Sequence, residues 1–164
     1  MTVIDADCLN FLLSFKIGTK ILNNVEIKLP TSIFNELDQK NQLKLKQYKI
    51  QIVNLDQKDR EYAANILYKI NGRKEIRKWY LENRNLRLIH HIGESEGAAI
   101  AKKLNEDIVL LEKKSTSIIK KTFQHLQIKC IHLKQFGIDV LNNLSLNKDI
   151  EIFNEELKRK LHIF

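Results

Sequence analysis

The sequence predicts an α/β domain with a mainly parallel central sheet flanked by helices. Short apolar runs such as "TVI", "VEIKL" and "DIVLL" do not alternate with polar residues, so they read as strands covered on both faces. Stretches of helical period separate them, and a strand–helix–strand rhythm favours parallel pairing. With 164 residues, one proline, five glycines and no low-complexity tract, the chain has room for one core and shows no linker, so 1–164 is expected to form one domain.

Each element has a local reason. "TVI" is followed by "DADCLNFLLSF", where Leu9, Leu12 and Leu13 recur at helical spacing. "VEIKL" is the second strand, and "PTSIFNELDQ" opens a helix behind the proline. "YKIQIVNL" reads as the third strand. The helix "DQKDREYAANILYKI" follows it with an apolar stripe at Ala63, Leu67 and Ile70, stopped by Gly72. Another helix, "RKEIRKWYLEN", precedes "LRLIHH", which reads as a short edge strand. "ESEGAAIAKKLN" is a small-residue helix, "DIVLL" a strand, "KSTSIIKKTFQHL" a helix and "IKCIHL" the closing strand. Over 147–164, Ile150, Phe153, Leu157 and Leu161 place an amphipathic helix that packs on its own domain or against a partner.

Lys and Arg number 28 against 20 Asp and Glu, a net charge of +8 that favours polyanionic partners. Cys8 and Cys130 lie singly in apolar runs, which fits reduced thiols and excludes a disulfide framework or a cysteine metal site. The N-terminus has no basic leader, and no stretch has the length of a membrane span. A cytoplasmic protein that does not enter membranes is expected.

Ligands of open parallel sheets bind beyond the carboxyl ends of the strands, and the residues that fall there are acidic. Asp5 closes the first strand, Glu36 lies in the helix after the second, Glu94 and Glu96 open the small-residue helix, and Glu112 closes "DIVLL". Glu94 shares a helical stripe with Ala98 and Ala101 and so starts on the packed face. Carboxylates that converge at a buried rim repel one another unless a cation neutralises them, and hard oxygen donors select Mg²⁺ or Mn²⁺. Taken singly, Asp5 or Asp7 reads as a helix cap and Glu36 as an ordinary helical glutamate; the joint pattern points to metal-assisted phosphodiester hydrolysis.

Read together, "VIDADCLNFLL", "LPTSIFNEL", "GESEGAAIAKKLN" and "DIVLLEKKS" resemble the PIN-domain family of metal-dependent nucleases, over roughly residues 1 to 140. The resemblance implies a PIN-like fold to which the 147–164 helix is added, single-stranded RNA cleavage, and a place among the toxins of toxin–antitoxin modules. It implies Asp5, Glu36, Glu94 and Glu112 as catalytic acids, with Asp5, Glu36, Glu94 and Glu96 as the candidate metal donors for Mg²⁺ or Mn²⁺. Asp7 would orient the site from behind or cap the first helix. The fourth motif departs from the family pattern, which places aspartates after the strand where this chain has Glu112, Lys113 and Lys114. RNA, an antitoxin protein and a second copy of the chain are the partners implied.

Arg73, Lys74, Arg77 and Lys78, interleaved with Trp79 and Tyr80, form the expected RNA-contact run, since cations bind phosphates and open rings stack bases. Lys113 and Lys114 lie nearer the acidic rim. Two other readings stand beside the nuclease. In one, Lys113 marks a PIN-like module that binds RNA or protein without cutting. In the other, "DADCL" follows a strand as in haloacid-dehalogenase phosphatases, although the paired aspartates those enzymes need after a later strand are missing from "VLLEKKS". His90 and His91 precede Glu94 and read as strand-end or surface histidines.

Overall fold

In the computed structural model, which describes residues 1–111 and 116–163, the strands run parallel and alternate with helices, as the apolar runs require. The first half comprises β1 (Val3–Ile4), α1 (Ala6–Leu13), α2 (Lys16–Leu22), β2 (Ile27–Pro30), α3 (Thr31–Glu36), α4 (Gln39–Leu45), β3 (Ile50–Val53) and α5 (Gln57–Asn71). The second half comprises α6 (Glu75–Leu81), α7 (Ile92–Leu104), β4 (Ile108–Leu110), α8 (Thr116–His125), β5 (Cys130–His132), α9 (Leu133–Asn143) and α10 (Asn147–Ile163).

β1, β4 and β5 form one parallel ladder and β2 with β3 another. A parallel bridge between Thr2 and Ile27 joins them: the Thr2 N–H donates to the Glu26 carbonyl (2.8 Å) and the Lys28 N–H to the Thr2 carbonyl (2.9 Å). The strands therefore lie in the order β3-β2-β1-β4-β5. From β1 the chain builds outward to one side through β2 and β3, then returns to build the other side through β4 and β5. The topological switch thus falls between β1 and β4, where a doubly wound sheet opens its ligand crevice.

Burial follows the pairing. Val3, Ile4, Ile27, Leu29, Ile108, Val109 and Leu110 are sealed on both faces, whereas Ile52 in the outer strand β3 is exposed and β5 is half-buried. A second, smaller apolar cluster joins α5, α6 and α7 through Ala63, Ala64, Leu67, Ile76, Tyr80, Ile89 and Ala99.

The helices divide more finely than their periodicity predicts. Phe15 adopts an extended conformation and splits α2 from α1; extended Leu37, with Asp38 capping Asn41 at 2.7 Å, splits α4 from α3. α9, which the sequence reading leaves without an element, fills the space between β5 and α10. Gly72 ends α5 in the left-handed conformation (φ 72°), as predicted.

The expected edge strand "LRLIHH" is corrected to a single 3₁₀ turn over Leu86–Leu88. Left-handed Asn85 and His91 bracket the segment, and the Asn71 side chain holds the His90 backbone from both sides (3.1 and 3.2 Å). Leu86 and Leu88 face solvent, and Ile89 is buried in the α5–α6–α7 cluster rather than against a sheet.

α10 packs on its own fold. Phe153 is fully buried, sits 6.3 Å from the Phe11 ring, and covers Gly137 so closely that a Cβ there would come within 2.4 Å; Lys20 pairs with Asp149 at 2.9 Å. Phe153→Ala is expected to destabilise the protein by roughly 3–5 kcal/mol, because α9 and α2 cannot close over the lost ring. A denaturant midpoint lowered without change of slope is the measured sign.

Candidate functional site

Asp5 is the first residue beyond β1, at the switch between β1 and β4, and its N–H donates to the Val109 carbonyl of β4 at 3.1 Å. Its backbone is extended, and one carboxylate oxygen accepts from the Cys8 N–H at 2.8 Å. Asp5 is therefore both the cap of α1 and a buried acid, only 4% exposed. Burial pushes its carboxyl up from 3.8 to about 7; the Cys8 hydrogen bonds oppose the rise, and the charges of Glu94 and Asp7 add to it. Asp7 itself is exposed on the first turn of α1 and does not cap the helix; it acts on Asp5 and Glu36 through its charge.

Glu36, the last residue of α3, reaches the same place from the other side of β1. As a residue it lies at the exposed rim, but its carboxylate is lodged against α7: a Cβ on Gly93 would stand 2.3 Å from Glu36 Oε1. Burial of that head group, then the charges of Glu94, Asp5 and Asp7, push its carboxyl to about 7, while the Gly93 N–H donates to it and lowers it in part. The glycine is thus a docking place for an acid from another element. Its neighbour Gly97 lets the same helix lie close to Ile33 and Val3, which brings Glu94 inward as its stripe predicts.

Glu94 is largely covered, and its carboxylate lies 3.5 Å from His91 Nδ1. That hydrogen bond is the main cause that raises His91, burial opposing it and the charges of Glu94 and Glu36 adding to it. His91, read from the sequence as an ordinary histidine, thus stands directly beside one of the acids. It stands in a left-handed conformation that ends the preceding turn and opens α7. Ser95, not singled out by sequence reasoning, is fully buried beside Glu94, and its hydroxyl has no hydrogen-bond partner among the described residues.

Asp5, Glu36 and Glu94 are therefore brought into mutual electrostatic contact, with Asp7 in front of them. Glu96 is not. Two residues along an α-helix turn the side chain by about 200°, and Glu96 leaves on the opposite side of α7 to accept the Tyr80 hydroxyl. Glu112, Lys113 and Lys114 lie outside the described residues. Among the described residues, no three His, Cys, Asp or Glu side chains close on one point as metal ligands. The donors at the switch are nonetheless all carboxylates, two of them pushed up to about 7 by burial and then by neighbouring acidic charge, a chemistry suited to a hard divalent ion.

The basic run divides too. Arg77 and Lys78 project to solvent on α6, and Lys74 does so from the position just before it. Arg73 pairs with Glu75 at 3.8 Å and lies 5.0 Å over the Trp79 ring. The expectation that Tyr80 offers an open ring for a base is corrected: Tyr80 is 3% exposed, packed in the α5–α6–α7 cluster with Arg60 over its face. Its place on α6, four residues after Ile76, sets both on the inward stripe. Trp79 is half-buried with one face covered by Arg73.

No helix among the described residues is long and apolar enough to cross a membrane. The chain matches no protein-family model and no curated protein.

Proposed function

We propose that the protein is a PIN-like, divalent-metal-dependent endoribonuclease that cuts single-stranded RNA in the cytoplasm, as the toxin of a two-component module with an antitoxin partner. One observation carries the reading. Asp5 and Glu36, delivered by separate elements to the switch between β1 and β4, are each pushed to about 7, with Glu94 among the causes in both cases. A fold does not gather buried like charges at its ligand crevice for stability, and perturbed acids of this kind mark functional sites.

Asp5, Glu36 and Glu94 would hold Mg²⁺ or Mn²⁺, directly or through water. Bound there, the ion supplies a water of lowered pKa and neutralises the phosphate under attack. The chain's own part is positional: the Cys8 N–H fixes one oxygen of Asp5, the Gly93 N–H fixes Glu36, and His91 holds Glu94. Exposed Lys74, Arg77 and Lys78 supply phosphate contacts whose strength falls with salt.

The test is cleavage of a single-stranded RNA by purified protein. Mn²⁺ should support it and chelator stop it, and Glu36→Gln and Glu94→Gln should each reduce it on the order of a hundredfold or more with unchanged folding. Cleavage that both variants retain in full would show that the acids at the switch are not the site. A second reading, a PIN-like module that binds RNA without cutting, draws on the His91–Glu94 pair, which places an imidazole of raised proton affinity beside the acids. Under that reading RNA binding persists in chelator and no product forms with either metal.

A further inference from the structure

On the far side of α7 from Glu94, a cavity of about 190 Å³ opens at the carboxyl ends of β2 and β3, lined by Thr31, Val53, Asn54, Leu55, Arg60 and Glu96. Its polar groups are held in place. Arg60 donates through Nη2 to the Tyr80 carbonyl (2.9 Å) and to Asn83 Oδ1 (3.1 Å), and its guanidinium lies 5.1 Å over the Tyr80 ring. The Tyr80 hydroxyl donates to Glu96 Oε2. Thr31 Oγ1 donates to Asn54 Oδ1 (2.7 Å), which leaves the Asn54 amide as a donor.

Arg60 and Glu96 share this cavity without pairing. No direct ion pair joins them; they meet through Tyr80, whose hydroxyl donates to Glu96 and interacts with the Arg60 guanidinium, and among the described residues the Nε and Nη1 hydrogens of Arg60 have no acceptor other than Tyr80. An oriented carboxylate and an oriented guanidinium that line one cavity and are linked only through Tyr80 suit a ligand with donors on one edge and an acceptor beside them. The volume is below the usual range for a drug-sized or whole-nucleotide ligand, so a single ring system is what fits.

Resting on the reading of the chain as an RNA nuclease, we propose that this cavity takes one base of the RNA and selects guanine. Guanine is the only one of the four RNA bases with two adjacent N–H donors on its pairing edge, which Glu96 accepts, next to O6, which a single remaining N–H of Arg60 meets. Adenine turns a lone pair toward the carboxylate, and the pyrimidines offer one donor position where guanine offers two. The cavity and the acids lie on opposite sides of α7 at the same sheet edge, so a strand seated at Asp5 passes this way. The base held here sets where it is cut.

The test measures binding with cleavage switched off. Fluorescence anisotropy in chelator compares U-rich pentaribonucleotides that carry one central G, A, C or U. The wild-type protein should bind the G oligonucleotide about tenfold tighter than the others. Glu96→Gln and Arg60→Lys should each remove that preference and leave the all-U affinity unchanged. A purely structural role for these residues would lower thermal stability and weaken all four alike, which overturns the proposal. So does a wild type without base preference, or a preference that survives in both variants. Equal binding of all four with metal-dependent cleavage intact would sink the pocket and spare the nuclease reading; absence of both binding and cleavage would sink both.

Discussion

Asp5→Asn should melt at a higher temperature than the wild type at pH 8 in chelator, and at the same temperature near pH 4. The sign follows from where the proton sits. Below pH 4 Asp5 is protonated in the folded and unfolded chains alike, and its burial costs little. As pH rises from 4 to 7 the unfolded chain loses the proton while the fold keeps it, so stability falls through this window, and above 7 the fold carries the full cost of a buried charge. The rise from 3.8 to about 7 corresponds to about 4 kcal/mol as an upper bound. Asparagine keeps an oxygen for the Cys8 N–H, so the helix cap survives. Relief of roughly half that cost, about 2 kcal/mol, raises the melting temperature by roughly 4–8 °C in a protein of this size. Asp5→Ala loses the cap as well and should gain less.

The same experiment reports on the metal. An ion held by Asp5 binds the folded chain and not the unfolded one, so saturating Mn²⁺ should raise the wild-type midpoint at pH 8 and leave Asp5→Asn where it was. A midpoint that Mn²⁺ moves equally in both proteins would place the ion elsewhere. Asp5→Asn should also abolish RNA cleavage, and a variant that is more stable and inactive together is what a strained functional acid produces.

The acids at the sheet edge were legible because their positions follow from local pattern. Asp5 sits one residue past an apolar run, and Glu94 shares a stripe with Ala98 and Ala101, so a strand end and a helix face were enough to set them together. What separates Glu96 from Glu94 is not local: Tyr80, sixteen residues earlier, takes Glu96 to the other side of the helix. Tyr80 itself carries no local sign that separates a buried ring from an exposed one in a basic helix. The splits at Phe15 and Leu37 each turn on one extended residue inside a helical pattern, which periodicity over a window averages away. "LRLIHH" has the composition of a strand, but the side-chain bonds of Asn71 and two left-handed residues decide it. Local pattern placed the elements, and contacts distant in sequence decided the directions of side chains.

Gly93→Ala is expected to leave the fold intact and remove most of the activity. The new methyl would stand 2.3 Å from Glu36 Oε1 and 3.1 Å from its Cδ, with Ile33 Cγ1 at 3.3 Å. The atom in the way is the free end of a flexible side chain at the rim, so the clash is relieved by turning Glu36 out to solvent, while Ile33 yields by a few tenths of an ångström. Alanine also holds the helical conformation better than glycine, by at most about 1 kcal/mol at this first-turn position, which helps to offset that shift. The Glu36 carboxylate then leaves its N–H donor and the company of Asp5 and Glu94, and cleavage should fall on the order of a hundredfold, close to the loss in Glu36→Gln. A double variant, Gly93→Ala with Glu36→Gln, should be no worse than either alone, because both remove the same group. Independent, multiplying losses would mean that Gly93 acts by a route other than Glu36. A steep fall in thermal stability would mean that the helix, rather than the glutamate, had moved.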